Sequence, residues 1–148
     1  MDPNAILGLT TTGSATAAWL LGKLLGPSVE ALGEGIAAPL VAWKEKRIKN
    51  ATEILNSAAA LVDNPQAVPG RILWPILEKG SLEDDDELRT AWARLLANAA
   101  DPDLAAGILP AFVHILGELS SVEVKALEWI AEHGAPGTGI YSWFPMTQ

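Results

Sequence analysis

Apolar positions in this chain recur at three- and four-residue intervals along most of its length, which is the period of a helix face. Ala15 to Leu25 predicts a short apolar helix that Gly26 caps, with Pro27 suited to the first position of the next. In that next segment Val29, Leu32, Ile36, Leu40, Trp43, Ala51, Ile54, Ala58 and Leu61 share one face, while Glu30, Glu34, Lys44, Lys46, Lys49 and Glu53 mostly lie elsewhere. Pro39 removes an i→i−4 hydrogen bond, so a kink or break is expected between Gly35 and Pro39. Asp63-Asn64-Pro65 stops that helix, and RILWPILEKG, residues 71–80, predicts another, interrupted by Pro75 and closed by Gly80. Leu88, Trp92, Leu95, Leu96 and Ala99 form the stripe of a fourth helix. Residues 103–119 predict a fifth, with Leu104, Ile108, Phe112, Ile115 and Leu119 inward and a bend at Pro110. Ser120 and Glu123 make an S-x-x-E capping box, which starts a sixth helix with Val124, Leu127 and Ile130 on one side and Gly134 past its end.

No alternating strand pattern and no internal repeat interrupts this series. The expected fold is all-α, an irregular bundle of about six helices with proline-bent helices. Residues 1–22 read as an uncharged N-terminal arm, flexible or membrane-associating, residues 23–134 as the helical domain, and residues 135–148 as an unpatterned apolar tail. A length of 148 residues suits one domain, and 49% hydrophobic with 19% charged residues suits a chain with a packed core.

Composition then narrows the chemistry. There is no cysteine, which removes disulfides, thiolate metal sites and cysteine nucleophiles, and fits a cytoplasmic protein. A net charge of −8 repels a phosphate backbone, so nucleic acid is disfavoured as a partner. Residues 3–22 carry no charge, yet threonines, a serine and glycines dilute their apolar content below that of a membrane-spanning helix, and no basic residue precedes them as in a signal peptide.

The densest chemistry is the unbroken acidic run Glu83 to Glu87. Ser81 is placed to cap a helix with Asp84 at its third position, so that Glu83, Asp84 and Asp85 occupy the positive end of the helix dipole and Asp85 pairs with Arg89. Asp84 with Glu87 could give magnesium two oxygens, but no histidine or phosphate-binding loop accompanies them. Asp86 and Glu87, least needed for capping, are the candidate contacts for a protein partner. Lys44, Lys46, Arg47 and Lys49 are the candidate contacts for lipid or another anion, set against their reading as a solvated face beside Glu45 and Glu53. Pro102-Asp103 with Glu123-Val124-Lys125 mimics a nuclease spacing, but both halves fall at helix starts rather than strand ends. His114 reads as a partly buried helix residue, His133 as a cation at a helix C-terminus, and the six tryptophans chiefly as core anchors. No catalytic residue, metal ligand or cofactor is assigned, and the reading leans away from an enzyme.

The stretches GKLLGPSVEALGEGIA, WKEKRIKNATEIL, ILWPILEKGSLEDDDELRTAWARLLANAADP and PAFVHILGELSSVEVKAL together resemble the bacterial abortive infection alpha family. The most specific piece is the order acidic run, Leu, Trp, Leu-Leu-Ala-Asn, Asp-Pro within Asp84 to Pro102, and the likeness spans roughly Leu20 to Leu127. The resemblance implies a mostly helical protein associated with phage defence, in which an infected cell is stopped before phage spreads. Similar proteins continue well beyond this length, so either a short member or a piece of a longer one is expected. The resulting expectation is a cytoplasmic helical module of phage defence acting by protein binding or self-association. The alternative is a membrane-associated effector working through the N-terminal arm and the Gly-rich segment Gly22 to Leu40.

Overall fold

The computed structural model describes residues 15–26 and 45–134. Six α-helices and no strand occur among the described residues: α1 (Ala15–Leu25), α2 (Glu45–Ala59), α3 (Gly70–Ser81), α4 (Asp86–Ala100), α5 (Pro110–Glu118) and α6 (Ser121–His133). A single 3-10 turn at Ala105–Gly107 precedes α5. Helix α2 packs against α1, α3 and α4 at once, because its stripe Ala51, Ile54, Leu55 and Ala58 is buried while Glu45, Lys46 and Lys49 stay outside.

Helix α1 lays Ala17, Leu20, Leu21, Leu24 and Leu25 into the same core, so the boundary drawn at residue 22 falls inside a buried helix. Gly26 ends it with φ +63°, a left-handed cap, and a β-carbon there would stand 2.8 Å from the β-carbon of Ala67. The close approach is fixed by the Val68 amide, which donates to the Leu24 carbonyl at 3.0 Å. Pro39, with its predicted kink, lies outside the described residues, as do Trp43, Lys44 and Trp143. Leu61, expected on the buried face, lies past the end of α2 and is exposed, since the chain leaves the helix at Ala59.

Helix α3 runs through Pro75 without the expected interruption, and buries Ile72, Leu73, Ile76 and Leu77. Gly80 does not close it. The helix runs on through Ser81, and a β-carbon at Gly80 would come 2.6 Å from the Ile54 terminal methyl and 3.4 Å from the Trp92 ring. The glycine is therefore a place of close helix approach rather than a stop signal.

Pro110 does not bend a long fifth helix; it is the first residue of α5, and the preceding residues form turns instead. The break shifts the phase, so Val113 and Leu116 face the core, Phe112 is half-buried, and Leu104 and Ile115 are exposed. His114 is exposed, not partly buried. Of the described tryptophans only Trp92 is fully enclosed; Trp74 is half-buried, and Trp19 and Trp129 are exposed.

Candidate functional site

The acidic run is built into the bundle by the face of α2 that carries the basic cluster. Ser81, expected to cap α4, is instead the buried last residue of α3: its hydroxyl donates to the Glu78 carbonyl at 2.8 Å and accepts from Arg47 Nε at 3.1 Å. Arg47 also donates to the Glu78 carbonyl at 3.1 Å. Asn50, buried on α2, donates to the carbonyls of Ser81 at 3.0 Å and Glu83 at 3.2 Å. These bonds hold the end of α3 and the loop after it against α2, so Glu83 to Asp85 form a connection rather than a first helical turn.

Capping passes to Asp85, whose carboxylate accepts from the amides of Glu87 at 2.9 Å and Leu88 at 3.1 Å. Only Asp86 and Glu87 then lie in the first turn of α4. Arg89 does not pair with Asp85. It bonds Asp86 on its own helix, donates to the Glu83 carbonyl at 2.9 Å, and reaches Glu53 of α2 at 3.2 Å. Lys46 meets Asp84 at 2.6 Å, Lys49 stands 4.0 Å from Glu53, and Glu87 meets Lys125 of α6 at 2.7 Å. The acidic run and the basic cluster thus meet through Lys46 and Asp84, whereas Asp86 and Glu87 pair with Arg89 and Lys125. Most of these ion pairs are exposed and each stabilises by at most about 1 kcal/mol, but the Asn50 bond to the Ser81 carbonyl is buried and its bond to the Glu83 carbonyl is partly so.

Between α2 and α4 the same residues border an open cleft of about 330 Å³, lined by Glu53, Ile54, Asn56, Ser57, Asp86, Arg89 and Thr90. Its acids are already paired with Arg89, and among the described residues no group of three histidine or acidic side chains is arranged to hold a metal ion.

Charge at the helix starts responds to this geometry. The Leu88 amide, followed by those of other donors, holds the Asp85 carboxyl below its usual range, and the Ser120 amide does the same for Glu123 within the observed capping box. The hydrogen bond and charge of Glu87 push Lys125 up. A depressed carboxyl stabilises the fold above its unfolded value and loses that contribution as pH falls through its folded value; the raised lysine contributes below its ordinary range and loses it as pH rises through its folded value. The melting temperature is therefore expected to be level through neutral pH and to fall below the ordinary carboxylate range. Asp85→Asn, which keeps an N-cap acceptor, should shrink that acid limb in melting curves recorded against pH while changing neutral stability little.

Helix α6 presents a different surface. Val124 and Ala131 are buried toward α4, with Leu127 beside them, and Glu128 is tied to Arg94 of α4. On the opposite arc, at spacings of four, three, one and three, stand Val122, Ala126, Trp129, Ile130 and His133, all exposed. Val122 is 73%, Trp129 62% and Ile130 39% accessible. The Trp129 ring stacks on His133 with centroids 4.8 Å apart, and the His133 Nδ1 stands 2.9 Å from the Trp129 carbonyl. A helix apolar on two opposite sides has one side more than the described helices pack against. The periodicity named only the inner stripe, although Ile130, counted with it, belongs to the outer one.

Among the described residues no helix is long and apolar enough to cross a membrane. The candidate anion contacts Lys46, Arg47 and Lys49 all sit on α2 in the pairings given above, and Lys44 lies outside the described residues. A family model for abortive infection alpha matches residues 42–142, about two thirds of the chain and all of α2 to α6. Neither the curated proteins nor the solved structures yield a match. The match takes in the acidic run, the Trp92 stripe and the capping box of α6 together, and on that extent the chain belongs to the abortive infection alpha family.

Proposed function

We propose that the chain serves abortive infection as a helical interaction module, making its contact through the outer face of α6. The family assigns the setting, phage defence. The observation that carries the mechanism is the exposed stripe Val122, Ala126, Trp129, Ile130 and His133. Single exposed apolar residues are ordinary on a protein surface, but a contiguous set along three turns, centred on a tryptophan, has the composition of an interface core. Asp86, 88% accessible beyond its bond to Arg89, and Glu87, which reaches Lys125 on this helix, supply an acidic edge.

The test uses bacteria in which the chain lowers phage plating. Trp129→Ala combined with Val122→Ser is expected to restore plating at least tenfold, with expression and melting temperature unchanged. Full protection by that variant would remove the outer face of α6 from the mechanism.

A further inference from the structure

The outer face of α6 also carries information about what it meets. We infer that its partner is a basic amphipathic helix of another protein, with an apolar stripe flanked by lysine or arginine. This rests on the reading of that face as a contact surface and adds the chemistry of the occupant. From Val122 to His133 the stripe runs eleven residues, about 17 Å at 1.5 Å per residue, which matches three turns of a helix laid along it. Ala126, the smallest residue of the stripe, lies between Val122 and Trp129.

Charge selects the sign of the flanks. The one lysine of α6, Lys125, is engaged by Glu87, and Glu128 is engaged by Arg94. That leaves Glu123 on one side of the stripe and Glu132 on the other, both exposed, to set the potential along its edges. Glu123 closes the capping box with Ser120, yet this bond joins it to a neutral group and keeps its negative charge. The chain as a whole carries −8. A second copy would bring acidic flanks against acidic flanks in either orientation. An anionic bilayer is repelled by the same flanks.

The experiment uses two labelled helical peptides with identical leucine faces, one with lysine and arginine flanks and one with glutamate flanks, titrated with the full chain and followed by fluorescence anisotropy. The basic peptide is expected to bind at least tenfold more tightly. Trp129→Ala should weaken that binding at least tenfold, and Glu123→Gln with Glu132→Gln, which keeps a capping-box acceptor, should bring the two peptides close to parity. Equal binding of both peptides, or binding of neither while Trp129→Ala still abolishes phage protection, would overturn the basic partner and leave the contact surface standing. Binding of the basic peptide unchanged by Trp129→Ala would place it elsewhere on the acidic surface and overturn the inference. So would a concentration-dependent dimer, or flotation with phosphatidylcholine vesicles, that Trp129→Ala abolishes.

Discussion

Trp92→Ala is expected to remove about 3–5 kcal/mol of folding stability, the range for a fully enclosed large aromatic cut back to a methyl group. Trp92 is 1% exposed in the middle of α4, where α2 and α3 both pack. It also stands against the site at which Gly80 lets α3 approach, so the cavity would open at the meeting of three helices. Against a typical total of about 5–15 kcal/mol, such a loss brings the chain near half-unfolded or leaves it with a shallow transition. Urea unfolding followed by far-ultraviolet circular dichroism measures it, and a midpoint unchanged by the substitution would refute the placement of Trp92 at the centre of the core.

Asn50→Ala is expected to cost about 3 kcal/mol. One side-chain amide there satisfies two carbonyls, those of Ser81 and Glu83, and each buried acceptor left without a donor costs about 1–3 kcal/mol. Asn50 is itself buried, so water reaches the Ser81 carbonyl poorly and can replace only part of what is lost. The exposed pair Lys46–Asp84, a few residues away on the same connection, provides the contrast: Lys46→Ala should cost less than about 1 kcal/mol. Equal losses in the two variants, measured by the same urea titration, would mean that charge rather than buried hydrogen bonding holds the loop.

That contrast shows where the sequence was legible. Local rules gave α1 with its Gly26 cap, the capping box of α6, the inner stripe of α4 and the all-α architecture, because each rests on residues within a turn or two of one another. The acidic run was not legible in the same way. Ser81 and Asp85 both satisfy the local pattern of a helix start, and the choice between them is made by Arg47 and Asn50, more than thirty residues away. Gly80 reads as a stop for the same reason: the Ile54 methyl that requires a glycine there is invisible along the chain. Pro110 marks a helix irregularity in the sequence without fixing its kind, since a proline that could bend a helix can equally begin one. The candidate surface divided similarly. Asp86 and Glu87 were visible as charge but not as partners of Arg89 and Lys125, and the outer stripe of α6 was hidden because a search for one apolar face stops when it finds one.

On the reading proposed above, the outer face of α6 is surplus to the described fold and is left for a partner. Urea unfolding of the full chain carrying Val122→Gln and Trp129→Gln tests it most directly. Surface substitutions away from structural contacts change stability by about 0.5 kcal/mol or less, and the double variant is expected to unfold within about 1 kcal/mol of the unaltered chain. A loss of about 3 kcal/mol or more would show that the chain covers this face itself, and would contradict the account.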